Sequence, residues 1–342
     1  MKSISVIIPT ANRPEFLEEA LSSVARQTAL NDIEEVIVSE DGGSFESKAV
    51  CAKFKSLPIK YIFQDPPMPP TEHFNVLAKQ ASTEFIAMFH DDDWWVPEHL
   101  ERSLQALKSH PDCVATFSNF YESTGPSAPF NLNGHMWLIW SASGCNFADP
   151  VFIFDEASVM FVCLAWSWWG NFHYSTFVGR SDAARDAFSK TFETGNCYDT
   201  DRQFPVFLSL RGKICYFTMP GVFRRNHQVQ DSNKEPYSRF VEIIIQTTRW
   251  LMKSFPDNAA KAKELFNKTA SGIEPDRLLA ISNLLIKQLR PVLIEECGLK
   301  FIPVPPENRG SHDPHIKRLL RQICPPVLWN ILSRVKNLRP TE

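Results

Sequence analysis

The sequence predicts an α/β fold, a mainly parallel sheet with helices on both faces, followed by a C-terminal helical extension. Three observations carry this expectation. Short apolar runs at residues 4–10, 36–38, 59–63 and 84–90 alternate with segments whose apolar residues recur at helical spacing, the β-α-β-α pattern of a covered parallel sheet. Residues 84–90 are apolar almost throughout, as a strand buried on both faces should be. Two of the runs stop at acidic clusters, Glu40-Asp41 and Asp91-Asp92-Asp93, at the strand ends where open α/β sheets bind ligands.

In chain order, residues 4–10 form the first strand. Pro14 opens a helix with Leu17, Ala20, Leu21 and Val24 on one face. The second strand, 36–38, runs into Glu40-Asp41-Gly42-Gly43-Ser44, where the glycines permit a sharp turn. A helix near 45–56, a strand at 59–63, a Pro-rich loop at 65–70 and a helix near 72–82 follow. After the strand 84–90 and the acidic triplet, Pro97 suits the first turn of a helix because it has no N–H to satisfy there. Leu100, Leu104 and Leu107 line that helix, and 114–117 is another strand.

From 120 to 180 the regularity breaks down into expected loops and irregular strands. Five Trp (137, 140, 166, 168 and 169) fall between 135 and 170. They form either the core of an insertion or a pocket wall, since aromatic faces suit sugar rings. Ser181 is read as the cap of a helix over 182–190. Asp199-Thr200-Asp201-Arg202 starts a helix that stops at Arg211-Gly212. A strand follows at 214–217, and residues 224–227 are expected in a loop. Helical spacing resumes at 243–252 and 278–289, and 302–314 reads as a Pro-rich linker. The expected organisation is a catalytic-type α/β domain over 1–235, a helical extension over 236–301, the linker, and a basic amphipathic tail over 315–342.

Composition narrows the function classes. With 342 residues and 44% hydrophobic content the chain can build a sizeable core without disulfides or structural metal. A formal net charge of −3 argues against binding nucleic acid through bulk charge, and no nucleic-acid partner is expected. The eight Cys are scattered without a C-x-x-C pair, which suits the reduced thiols of a cytosolic protein. A strand almost at the N-terminus predicts no signal peptide, and no apolar run is long enough to predict a membrane span.

Three adjacent carboxylates repel one another and need a reason to sit together. Either they form a solvated acidic turn, or they serve a divalent cation. Mg²⁺ or Mn²⁺ prefers such hard oxygens and often shares its shell with a phosphate.

Four separated pieces resemble the family 2 glycosyltransferases. They are the opening strand and loop 5–14 (Ser-Val-Ile-Ile-Pro-Thr-Ala-Asn-Arg-Pro), the acidic pair in Glu40-Asp41-Gly42-Gly43-Ser44, the stretch His90-Asp91-Asp92-Asp93-Trp94, and Asp201 ahead of a helix ending in Arg211-Gly212. The resemblance covers roughly residues 3–235. It implies a Rossmann-like GT-A fold and a metal-dependent, inverting transfer of a sugar from a nucleoside-diphosphate sugar to a glycan or lipid-linked saccharide, as in bacterial surface-polysaccharide assembly. It implies that Asp92, Asp93 and His227 serve a Mn²⁺ or Mg²⁺ ion. Pro9, Ala11, Asp41 and Asp91 would face the base and ribose of the donor, and Arg224 and Arg225 its phosphates. Inversion in one step needs a general base opposite the leaving group, for which Asp201 is the choice and Asp199 the alternative. Trp168 and Trp169 would hold the acceptor. One departure stands out: the family commonly has Asp where His90 stands.

Two rival classes fit less well. A non-catalytic scaffold on the same fold would have lost the acids that this chain keeps. A nucleotidyltransferase on a related sheet wants a Gly-rich phosphate loop after the first strand, and Pro9-Thr10-Ala11-Asn12-Arg13 has no glycine. In the tail, Ile316, Leu319, Leu320 and Ile323, then Val327, Leu328, Ile331, Leu332 and Val335, recur at helical spacing among basic residues. Such a stripe can lie on an anionic membrane or pack on the domain. The membrane reading makes the protein cytoplasmic and peripheral on the inner face of the cell membrane.

Overall fold

The computed structural model describes residues 3–43, 45–125, 127–132, 151–165, 172–191, 200–227 and 237–271. Ten strands lie in one sheet among the described residues. They are β1 (Ile4–Thr10), β2 (Ile33–Asp41), β3 (Ile59–Gln64), β4 (Phe85–Met88), β5 (Trp94–Trp95), β6 (Cys113–Ser123), β7 (Phe130–Leu132), β8 (Val151–Phe154), β9 (Val178–Arg180) and β10 (Lys213–Arg225). The order is β3-β2-β1-β4-β9-β6-β10-β5, with β7 on β6 and β8 on β10. Strands β3, β2, β1 and β4 are parallel, as the alternation predicts. The complete sheet is mixed, because β9 runs antiparallel between β4 and β6, and β5, β7 and β8 also pair antiparallel.

Helices α1 (Pro14–Val24), α2 (Glu46–Cys51), α3 (Pro70–Gln80), α4 (His99–Ser109), α5 (Glu156–Ala165), α6 (Ser181–Lys190), α7 (Thr200–Ser209), α8 (Tyr237–Ser254) and α9 (Pro256–Ser271) flank it. Side chains of a strand alternate between faces, and here each face has its own apolar cover. Val6, Ile8, Val36 and Val38 share a cluster with Leu17, Leu21 and Val24 of α1 and with Leu100, Leu104 and Leu107 of α4. Ile7, Ile37, Ile86 and Met88 share another with Leu77 of α3, Ala184 and Phe188 of α6 and Phe204 of α7. This two-sided burial is why the strands carry apolar residues at consecutive positions.

Ile244, Leu251 and Ala262, in the helices beyond residue 236, belong to the same cluster as Ile7. Buried Arg202 on α7 ties that segment down. Its guanidinium donates to the carbonyls of Cys163 and Ile244 and to Thr248 Oγ1, linking α7 to α5 and α8. Among the described residues no helix is long and apolar enough to cross a membrane.

Several local expectations are corrected. Helix α4 begins at His99, so Pro97 lies just before it. Ser181 is the first helical residue of α6 and makes no side-chain cap, while its N–H bonds the Glu84 carbonyl. The stretch 120–180 contains a ten-residue helix, α5, that its apolar sequence Val159-Met160-Phe161-Val162 did not reveal as helical. Arg224 and Arg225 stand on the end of β10 rather than in a loop. Trp137, Trp140, Trp166, Trp168, Trp169, Asp199 and everything beyond 271, including the linker and tail, lie outside the described residues.

Candidate active site

The ends of β1, β2, β3 and β4 point the same way, so the segments that follow them meet at one edge of the sheet. Asn12 after β1 and Gly43 after β2 are in contact there. Both glycines of the β2 turn have positive φ, 71° at Gly42 and 104° at Gly43, and a Cβ on Gly43 would collide with the Asn12 side chain. Glycine is therefore required for the close approach of these two loops. Asp41 accepts the Met68 N–H at 3.0 Å and so joins the turn after β2 to the loop after β3. Its neighbour Glu40 is fully buried and accepts Ser47 Oγ and Tyr61 Oη.

Next to β1, the turn after β4 carries the three acids, and they are not a solvated turn: Asp91, Asp92 and Asp93 are 4%, 8% and 2% exposed. Each has its own partners. Asp91 Oδ2 accepts Thr10 Oγ1 at 2.7 Å, and its Oδ1 lies 3.3 Å from Arg13 Nη1. Asp92 Oδ2 lies 3.4 Å from the same Arg13 nitrogen and 3.0 Å from His227 Nε2. Asp93 is turned inward, accepting Ser175 Oγ at 2.6 Å and the Arg225 backbone N–H at 2.9 Å.

Arg225 braces this turn from behind. Its Nε donates to the Asp92 carbonyl at 2.8 Å, its Nη2 pairs with Glu19 of α1, and its guanidinium lies over the rings of Phe16 and Trp94. Arg224 pairs with Glu122 of β6 at 3.0 Å. Trp94 and Trp95 anchor the far side, Trp94 stacked on Phe223 and Trp95 on Phe89.

Burial and the charge of Asp92 push Asp91 up, to about 7, against the opposing pull of Arg13 and Thr10. The same two causes push Asp93 up, to about 8. Asp92 goes the other way. Burial would raise it, but the His227 hydrogen bond and the nearby His90 and Arg13 outweigh that and lower it. The turn therefore carries one firmly ionised carboxylate between two that burial drives toward the neutral form. Added positive charge is what lets all three ionise. A carboxylate with an imidazole at its side, at a strand end, is a donor set that suits a divalent ion such as Mn²⁺.

Of the residues singled out from the sequence, Asp91, Asp92, Asp93, Arg225 and His227 converge on this turn. Pro9 lies on β1 one residue before Thr10, Ala11 is exposed in the turn beyond it, and Asp41 stands two strands from β4 at the same edge. Asp201 sits in the first turn of α7 and is half-buried. Sequence reasoning missed Arg13, Thr10, His173 and Ser175. A signal existed for the first two, which leave β1 beside the acids of its neighbour β4. None existed for Ser175: the β4–β9 pairing of Phe85 with Arg180 and Ala87 with Val178, continued three residues, sets it opposite His90. There Ser175 Oγ accepts the His90 N–H at 3.1 Å.

Known glycosyltransferases are similar to this chain in sequence and in fold. The family model described as Glycosyl transferase family 2 matches residues 5–164. An uncharacterized glycosyltransferase of Haemophilus influenzae is 28% identical over 150 residues, 41% of this chain and 50% of that protein. The GalNAc(5)-diNAcBac-PP-undecaprenol beta-1,3-glucosyltransferase of Campylobacter jejuni is 38% identical over 96 residues, 27% of this chain and 30% of that protein. The chain thus spans half or less of the length of these relatives. Among solved structures, S. aureus TarS 1-349 in complex with UDP-GlcNAc superimposes with a TM-score of 0.58 at 16% identity, covering 85% of this chain and 86% of that one. That likeness establishes the GT-A fold, and the matched residues 5–164, which include the loop after β1, the glycine-bearing turn after β2 and the acidic turn, are similar to glycosyl transferase family 2.

Proposed function

We propose that the chain is a metal-dependent, inverting glycosyltransferase that moves a sugar from a nucleoside-diphosphate sugar to a hydroxyl of a glycan or lipid-linked saccharide. The observation that carries this reading is the buried acidic turn, with Asp92 paired to His227 at 3.0 Å and Arg13 spanning Asp91 and Asp92. A uridine diphosphate donor is favoured by the fold likeness to TarS, whose structure holds UDP-GlcNAc. A lipid-linked acceptor is favoured by the undecaprenyl-linked substrate in the name of the C. jejuni relative.

In this mechanism Asp92 and His227 would hold a Mn²⁺ or Mg²⁺ ion, while Asp93, expected from the sequence to join them, accepts Ser175 Oγ and the Arg225 N–H and keeps the turn in place. Such an ion, when bound, stabilises the negative charge that grows on the departing diphosphate. Arg13 supplies a fixed positive charge beside Asp91 and Asp92. Asp41 and Asp91 accept hydrogen bonds from the donor's base and ribose, as ionised carboxylates can, while Pro9 and Ala11 shape the base site. Arg224 stands near enough to the turn to add positive potential toward the phosphates. Asp201, or Asp199 in its place, takes the proton of the acceptor hydroxyl as it attacks the anomeric carbon from the face opposite the diphosphate. Trp168 and Trp169 hold the acceptor sugar. The basic tail over 315–339 brings the enzyme to an anionic cytoplasmic membrane surface where such an acceptor resides.

The test is product analysis. The purified protein, given Mn²⁺, a panel of nucleotide sugars and polyprenyl-diphosphate-linked saccharides, should release nucleoside diphosphate and lengthen the acceptor. Release of pyrophosphate, or no metal-dependent turnover with any donor, would overturn the proposal.

A further inference from the structure

We propose that His90, Asp93 and His173 form a second cation site, suited to a borderline transition ion such as Zn²⁺ and separate from the Asp92–His227 pair. His90 Nδ1 lies 4.0 Å and His173 Nδ1 3.8 Å from the same oxygen, Asp93 Oδ2. The three candidate ligand atoms all lie within 4.8 Å of one another. His173 is 7% exposed, and its buried Nδ1, 3.8 Å from Asp93 Oδ2, has no hydrogen-bond partner among the described residues. A buried polar atom left unpaired is costly. These separations are too long for hydrogen bonds and too short for the groups to ignore one another. Ligand atoms about 2.0 Å from a zinc ion sit roughly 3.3 Å apart in a tetrahedron. The three atoms therefore need to draw together by only about 0.5–1.5 Å. Partly exposed His90 has room for that movement.

The supporting groups are in place. Asp93 is oriented by Ser175 Oγ on one oxygen and by the Arg225 N–H on the other, the kind of outer contact that fixes a ligating carboxylate. The two histidine rings meet edge to face at 5.3 Å between centroids. Two imidazoles with one carboxylate favour zinc, cobalt or nickel over magnesium, whereas Asp91 and Asp92 present hard oxygens. The acidic turn thus divides its side chains between two chemistries. An ion here would clamp the end of β4 to the 3₁₀ turn Tyr174–Thr176 and hold the acidic turn rigid from its buried side.

The experiment needs no sugar nucleotide and so stands apart from the transferase reading. The full chain is stripped with chelator and titrated with Co²⁺, whose visible d–d absorption reports imidazole ligation and low coordination number. The expected result is an absorption band that Zn²⁺ abolishes by displacement. His173→Ala and His90→Gln should each weaken Co²⁺ binding by roughly 10-fold or more, while Asp92→Asn keeps the band. Circular dichroism checks folding, and if His173→Ala does not fold, His90→Gln at its partly exposed position decides alone. Absence of any band in the parent chain, an unchanged band in folded His90→Gln, or a band lost in Asp92→Asn but kept in His90→Gln would each overturn the proposal.

Discussion

His227 places its Nε2 3.0 Å from Oδ2 of Asp92, joining two segments 135 residues apart. The imidazole comes from the end of β10 and the carboxylate from the turn after β4. Strand β5 makes the link short, because Trp94 and Trp95 pair with Phe223 and Val222 of β10 immediately beyond the acids. The two Trp beside the triplet thus sew the acidic turn to the strand that delivers Arg225 and His227.

Arg13 sits between two buried carboxylates and opposes the cost of ionising them, so its removal leaves that cost unbalanced. Arg13→Gln should lower unfolding stability by about 1–3 kcal/mol, read from urea midpoints. Mn²⁺ should restore part of that loss, since a cation replaces the missing charge. An unchanged midpoint, or no recovery with metal, would show that Arg13 does not balance the pair.

Asp201→Asn should cut turnover by roughly 10²–10⁴, the range for a positioned general base, with little change in donor binding. A dead Asp199→Asn beside a near-normal Asp201→Asn would move the base to residue 199.

Glu35 gives a pH signature remote from the site. One of its oxygens accepts Ser5 Oγ, Ser82 N–H and Ser82 Oγ at 2.7, 2.9 and 2.9 Å. Burial works to raise its pKa, but these hydrogen bonds together with Lys60 lower it. A carboxyl lowered in the folded state adds stability above its unfolded value, about 4.3, and loses that contribution as pH falls. Glu35→Gln should therefore be less stable than the parent at neutral pH, with the difference shrinking near pH 3 or so. A difference that stays constant between the two pH values would refute the linkage.

The tail prediction rests on the apolar stripe and basic flanks of 315–339. The full chain should co-sediment with anionic vesicles, less so at high salt, and a chain ending at Ser311 should not. Equal behaviour of the two forms would leave the tail without a membrane role.

Much of the α/β core was legible because burial and periodicity coincide. Leu17, Ala20, Leu21 and Val24 are all buried on α1, as their spacing predicts. The acid triplet was legible as a cluster because like charges rarely adjoin without cause. Its partners were not, since they arrive by tertiary pairing. Strand β9 is only Val178-Gly179-Arg180, too short to leave a pattern, yet it sets His173 and Ser175 beside His90 and Asp93. Arg224 and Arg225 were expected in a loop after a short strand at 214–217, but β10 runs on through Pro220 and Gly221 to Arg225. The strand absorbs Pro220 and Gly221 in an irregularity between Phe217 and Val222, where a proline needs no ladder N–H. Gly221 also leaves room for Ser118 and His99, which a Cβ there would meet.

Calorimetric binding of UDP, with and without Mn²⁺, to the parent chain and to Asp92→Asn tests the central claim most directly. The account predicts Mn²⁺-dependent binding to the parent and its loss in a variant that remains folded. Undiminished Mn²⁺-dependent binding by Asp92→Asn would contradict it.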